Sequence, residues 1–209
     1  MGSRSRFALV ALAVLIAVLV IAVPAQASNV KSGSTNLTVS AAYVTELHAK
    51  NVSMAAVSPA TMKTKWTSKD YMYYWFRVPM VAKSGANRST YVAKTGTGTF
   101  YHSGSLRFVE ASATAHKIFR AEGIRIIALS KTSYQMSVSY KTAAGPYARV
   151  TLATSTHAPK ITHSGKSYKI DGVQFKLTQA GHDAILATIG ESLDMTKIIF
   201  DTDLLPILK

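Results

Sequence analysis

Two His-Ser-Gly triplets, His102-Ser103-Gly104 and His163-Ser164-Gly165, place an imidazole beside a hydroxyl twice in one chain. A serine nucleophile needs a base within hydrogen-bond reach and a third group that orients the base. Neighbouring residues of an extended chain point to opposite faces, so adjacency alone does not make His102 and Ser103 a reactive pair. Each triplet lies between strand-like runs, and Ser-Gly is a tight-turn pair whose glycine takes positive φ. A turn is therefore the expected role of both, with His102 and His163 kept as candidate ligand-binding groups in their own right. By the same rule Asp171-Gly172 is expected to close a third hairpin. His182-Asp183 reads as a helix-surface feature, and Asp201 with Asp203 lacks the remaining spacing of a calcium loop. No His pair stands four apart, and there is no P-loop, Gly-x-Ser-x-Gly or dinucleotide fingerprint. The chain has no cysteine, which excludes thiolate nucleophiles and zinc-thiolate sites. No metal site and no catalytic residue is expected; the alternative is a hydrolase whose active site is dispersed over distant loops.

A second candidate site is the run YMYYWF at 71 to 76. Strand alternation sends Tyr71, Tyr73 and Trp75 to one side and Met72, Tyr74 and Phe76 to the other. Both sides are apolar, as in a central strand buried in a sandwich. Alternatively the Tyr71 side is an open platform for a flat ligand such as a sugar ring, a porphyrin or another aromatic group. The second arrangement puts the Met- and Phe-bearing side into the core. Haem is thus a possible cofactor, without a residue assigned to hold it.

Charge points to partners. Twenty-four Lys and Arg against ten Asp and Glu give a net charge of +14. Residues 28 to 190 hold twenty of the basic residues and six of the acids, whereas Glu191, Asp194, Asp201 and Asp203 gather near the end. A basic body with an acidic tail is expected. The Lys residues are scattered singly, without the runs or motifs of a nucleic-acid arm. Such a surface either keeps the protein soluble or attracts an envelope polyanion, a wall phosphate or an acidic glycan. No specific nucleic-acid partner is expected.

The elements that must position these groups follow from pattern. Arg4 and Arg6, the 17-residue apolar run Phe7 to Val23, and Ala25-Gln26-Ala27 read as a secretory signal cleaved between Ala27 and Ser28. If it is retained instead, it is the chain's one membrane anchor. Residues 28 to 209 are expected to form one secreted domain that builds its core without disulfides. Ser40 and Thr178 are placed to cap two short helices, one near each end of the domain. Between them, runs rich in Thr, Tyr, Val and Ile alternate with Gly-containing breaks, among them 97 to 102, 105 to 110, 113 to 119, 123 to 129, 167 to 171 and 173 to 177. The fold class expected is mainly β, an antiparallel, sandwich-like domain.

Two stretches, LTVSAAYVTELHAKNVSMAAVSPA at 37 to 60 and GTGTFYHSGSLRFVEA at 96 to 111, resemble secreted β-rich proteins of actinobacteria. In both, a Leu-Thr strand, a short helix and a strand ending near Pro-Ala precede a Gly-Thr strand and a His-Ser-Gly turn. More distantly, HSGSLRF is similar to a segment of the HtaA type of haem-binding surface domain, a β-rich fold that uses a Tyr ligand. That family's opening Trp motif has no counterpart here, so the resemblance assigns the Tyr ligand to no particular residue. It implies secretion and a β architecture more than it implies haem; taken with the absence of a catalytic motif, the expected role is non-catalytic binding at the cell surface.

Overall fold

The structure, a computed structural model, describes residues 26–68, 71–82, 88–111, 116–141 and 145–209; Trp66 and Tyr71 are described in their backbone alone. The apolar run and charged start of the expected export signal lie outside these residues. None of the described helices is long and apolar enough to cross a membrane.

Among the described residues, thirteen antiparallel strands and two helices build the fold, as the β-rich pattern predicts. In chain order they are β1 (Ser28–Val39), α1 (Ala41–Ala49), β2 (Val52–Val57), β3 (Thr61–Ser68), β4 (Tyr71–Pro79), β5 (Thr90–Val92), β6 (Thr97–Tyr101) and β7 (Ser105–Ala111). There follow β8 (His116–Ala128), β9 (Tyr134–Lys141), β10 (Tyr147–Ser155), β11 (Lys160–Ser164), β12 (Ser167–Leu177), α2 (Gln179–Ile189) and β13 (Ile198–Leu208). The pairings β1-β13-β12-β10-β9-β8-β6-β5 return to β1, so the sheet closes on itself as a hydrogen-bonded circuit. Closure removes free edges from those strands. The β4-β3 pair, the β7-β2 pair and β11 branch from the circuit.

Both helices start where their caps predict. The Ser40 hydroxyl accepts from the Tyr43 N–H, and the Thr178 hydroxyl accepts from the Gly181 N–H at 3.0 Å. Helix α1 buries Tyr43, Val44 and Leu47, while α2 buries Ala184, Ile185 and Ile189 and leaves Leu186 exposed. Glu46 fastens α1 to the approach to β13: its carboxylate accepts from the Asp194 N–H at 2.6 Å and from Lys197 at 3.1 Å. The core is aromatic and aliphatic, with Phe76, Phe100, Phe108, Phe119, Phe175 and Phe200 all fully buried.

Three expectations change. Asp171-Gly172 is no hairpin: β12 runs unbroken through Gly172, which takes φ 82° at a bulge where the register against β13 shifts. The runs expected over 113 to 119 and 123 to 129 are not separate strands: residues 116 to 119 and 123 to 128 belong to one strand, β8, bulged at Gly123 with φ 52°, and residues 113 to 115 lie outside the described residues. The acidic tail is no tail either, since β13 lies between β1 and β12 with Phe200 and Leu204 wholly buried. Its Asp201 and Asp203 alternate with core residues and face outward, as strand periodicity requires.

The two His-Ser-Gly triplets also part ways. His163-Ser164-Gly165 leads into a two-residue turn of the β11–β12 hairpin, with Ser164 opposite Ser167 and Gly165 at φ 56°. His102-Ser103-Gly104 joins strands that do not pair with each other. Both β6 and β7 pair with β8, β6 against 125 to 128 and β7 against 116 to 121. The triplet is the corner at which the chain passes from the circuit to the β7-β2 branch, and Gly104 takes φ 89° there.

Candidate functional site

A cleft of about 660 Å³ lies where the β11–β12 hairpin meets β1, β4 and β13. Its chemistry comes from five strands. His163 on β11 and Tyr168 on β12 stand opposite each other in register, and their rings stack at 5.3 Å with 25° between planes. Tyr168 also meets Tyr91 edge-on at 5.6 Å, which braces the wall against the core. Leu205 and Ile207 of β13 supply an apolar side, Ser32 and Ser34 of β1 supply hydroxyls, and Arg77 and Lys169 supply positive charge. Gly33 is required at the base: a Cβ there would lie 2.5 Å from the Leu205 carbonyl oxygen.

Arg77 connects the cleft to the aromatic strand. Tyr73, Trp75 and Arg77 alternate along β4 on its outer side, while Tyr74 and Phe76 enter the core with 3% and 0% of their surface exposed. Tyr73 is 36% exposed and Trp75 is half-buried. The expected division of the strand into a core side and an outer side therefore holds for these residues, and the Tyr71 side chain lies outside the described residues. Lys63 of β3 sits 5.8 Å from the centroid of the Trp75 ring. A cation already over that ring makes it a poorer open platform than its composition suggests. The recessed surface is the neighbouring cleft.

Next to the cleft, Asp203 and Asp171 face each other from β13 and β12. Burial pushes the Asp203 carboxyl up to about 6, helped by its hydrogen bond to Asp171 and by that group's charge. Asp171 is held below the usual carboxylate range by the hydrogen bond from Asp203 and then by Lys169, whose ammonium donates to it at 2.7 Å. Below about pH 6 the Asp203 carboxyl keeps a proton that Asp171 shares. Lys169 is thus both a wall of the cleft and the counter-ion of this pair.

His102 is elsewhere. It is 6% exposed; its Nδ1 contacts the Ile124 carbonyl oxygen at 3.2 Å and its Nε2 the Thr35 hydroxyl at 2.6 Å. Desolvation lowers its pKa to about 4 against the opposing pull of the Ile124 and Phe100 carbonyls, so the ring is neutral, donating from Nδ1 and accepting at Nε2. Both nitrogens are engaged in holding β1, β6 and β8 together. Of the sequence-based candidates, the cleft takes His163 directly and Tyr73 with Trp75 as neighbours through Arg77; it does not take His102.

Sequence reasoning missed Arg77, Tyr168, Leu205 and Ile207. Alternation places Arg77 with Tyr73 and Trp75, a signal available in the sequence. The other three reach the cleft only through strand pairing.

One hydrogen-bond relay has the connectivity of a hydrolytic triad. His182 Nε2 lies 3.0 Å from the Ser192 hydroxyl, and its Nδ1 lies 3.0 Å from Asp183 Oδ1. The Asp183 side chain is 59% exposed, where water weakens its hold on the imidazole. The N–H groups of Gly190 and Asp194, on either side of Ser192, donate to Leu186 and Glu46 and do not offer an oxyanion hole. None of the three residues lines the cleft. The relay ties α2 to the loop after it.

No family model and no curated protein matches the chain. Among solved structures, the C-terminal domain of HtaA from Corynebacterium glutamicum matches with a TM-score of 0.53 at 16% identity, over 87% of this chain and 99% of that domain. At that identity the likeness speaks for the fold alone. The chain has the fold of the HtaA C-terminal domain.

Proposed function

We propose that this chain is a secreted or cell-surface, non-catalytic binding domain that takes a flat, acidic ligand in the cleft between the β11–β12 hairpin and β1, β4 and β13. The observation that carries the reading is the combination of a stacked His163–Tyr168 wall with two cations, Arg77 and Lys169, around one recess. A planar ligand gains most by lying along an aromatic wall, and its acidic groups gain most where cations converge. The cleft volume is within the range of small-molecule sites. The resemblance to haem-binding surface domains supports haem as one such ligand, with an acidic sugar, which stacks through the C–H face of its ring, as another. Haem fits the donor set: His163 is the imidazole in the cleft and would hold the iron, with Arg77 and Lys169 for the acidic side groups.

Titration with haemin, followed by Soret absorbance, and with an acidic glycan, followed by Trp fluorescence, tests this reading. One-to-one saturation with one of them is expected, weakened about tenfold or more by His163→Ala and by Arg77→Gln, as loss of a charge-assisted contact implies. Saturation that is indifferent to both substitutions would remove the cleft from consideration. The enzyme alternative has its own assay: hydrolysis of an activated ester should be the same for the parent chain and for Ser192→Ala, and a loss in the variant would reinstate catalysis.

A further inference from the structure

A second recess, which shares no residue with the cleft, carries an uncompensated pair of guanidinium groups. It encloses about 350 Å³ between Val81, Tyr101, His102, Gly123, Ile124, Arg125 and Arg149. Strand register brings the pair together: Tyr101 of β6 stands opposite Arg125 of β8, and Arg125 opposite Ser137 of β9. On the next strand, β10, Arg149 reaches back to the same Ser137. The Arg125 guanidinium lies over the Tyr101 ring at 4.9 Å from its centroid. Arg149 is fixed by hydrogen bonds from Nη1 and Nη2 to the Gly123 carbonyl at 3.3 and 3.2 Å, and from Nη1 to the Ser137 hydroxyl at 3.3 Å. The β8 bulge presents that carbonyl; a Cβ on Gly123, at φ 52°, would press on Arg149 Nη2 at 3.1 Å.

Two cations on one recess need an explanation, because like charges repel and the charge of Arg125 makes Arg149 harder to keep charged. Burial, and then the charge of Arg125, holds the Arg149 guanidinium below its ordinary range. Neither arginine has a carboxylate partner among the described residues; the acid nearest Arg125 in sequence, Glu122, is paired with Arg120 at 2.8 Å, and the one nearest Arg149, Asp171, with Lys169 at 2.7 Å. The neutral His102 ring beneath adds no countercharge, while Val81 and Ile124 keep part of the wall apolar. An anion with several oxygens, placed between two guanidinium forks, relieves the repulsion and satisfies donors that point in fixed directions.

We propose that the Arg125–Arg149 recess binds a phosphoryl group, as inorganic phosphate or as a phosphodiester unit of an envelope polymer. A tetrahedral phosphoryl group offers oxygens to both forks at once, which suits it better than a carboxylate. The proposal gives the basic surface a specific locus and does not depend on the ligand of the cleft.

The test is calorimetry on the whole domain with two probes, inorganic phosphate and poly(glycerol phosphate), at low and at moderate salt. Saturable binding of at least one probe is expected, weakened about tenfold or more by Arg125→Gln and by Arg149→Gln. Arg107→Gln, an exposed arginine on β7, should change it less than about twofold. Arg149→Lys keeps the charge and loses the fork, so it should fall between wild type and Arg149→Gln. Competition of phosphate against the polymer identifies the free anion as sufficient; polymer binding that phosphate does not displace identifies the phosphodiester chain as the source. Each variant is first shown to melt as the parent does, and Arg125→Gln, which leaves the Arg149 ties to the Gly123 carbonyl intact, stands in if Arg149→Gln does not fold. The proposal is overturned if neither probe saturates, if the glutamine variants bind like wild type, or if Arg107→Gln loses as much as they do, since diffuse charge would then account for the binding.

Discussion

Alanine at Gly104 and alanine at Gly165 should behave differently, although both sit in the same His-Ser-Gly triplet and both have positive φ. At Gly165, φ is 56° and a Cβ would meet nothing within 4 Å. The cost there is the left-handed backbone alone, roughly 1 kcal/mol for alanine and less for asparagine. At Gly104, φ is 89° and a Cβ would lie 2.5 Å from the Ala60 nitrogen and 2.9 Å from both Ala60 Cβ and the Val57 carbonyl oxygen. Two of those three contacts are backbone, so no rotamer change relieves them. The corner must open by several tenths of an ångström, which pulls β2 and β7 apart where Val57 pairs with Ser105. Adding this to the conformational cost gives roughly 3–5 kcal/mol, at the upper end of single substitutions. For a domain of this size each kcal/mol is about 2–4 °C, so Gly165→Ala should melt about 2–4 °C lower and Gly104→Ala on the order of 10 °C lower. Thermal unfolding by circular dichroism reads both. Equal losses at the two sites would refute the distinction between a solvent-exposed hairpin turn and a packed corner.

Two further expectations concern the aromatic strand and the carboxyl pair. Phe76→Ala should cost roughly 3–5 kcal/mol because the ring is fully buried, whereas Tyr73→Ala should cost less than about 1 kcal/mol, measured by chemical denaturation; a larger loss at Tyr73 would place that side of β4 in the core. Asp203 binds its proton more tightly folded than unfolded, so its contribution to stability is fully present below the ordinary carboxylate value and is lost as pH rises through about 6. Asp171 acts in the opposite sense, its contribution being present above the ordinary value and lost on acidification. Melting temperatures between pH 4 and 7.5 should therefore show a decline through about 6 that Asp203→Asn removes, and an unchanged decline in that variant would assign it to another group.

Periodicity and punctuation carried the local structure. Ser40 and Thr178 read as helix caps because a hydroxyl before an apolar-periodic run has one strong use, and both accept the expected backbone N–H. Tyr74 and Phe76 were separable from Tyr73 and Trp75 because side chains of a strand alternate whatever it packs against. The β class followed from composition and from the spacing of glycine breaks. The roles of the glycines did not, because positive φ is common to a hairpin turn, a bulge and a corner: Gly165, Gly172 and Gly104 occupy one of each. Which of these a glycine makes depends on what the flanking strands pair with.

The sites were decided in the same way. His102 and His163 are each followed by Ser-Gly, yet one is sealed against Thr35 and Ile124 and the other faces a cleft with Tyr168. That difference arises from strands distant in the chain. Arg125 and Arg149 come within reach of one another because β9 lies between β8 and β10 and offers Ser137, and because a bulge turns the Gly123 carbonyl toward Arg149. Residue types and alternation are local, so the sequence by itself determined a basic, cysteine-free, antiparallel β chain, two capped helices and the two sides of β4. Closure of the circuit through β13, the cleft and the guanidinium pair are long-range pairings, fixed only when the entire sheet has packed, and they were decided by the tertiary structure.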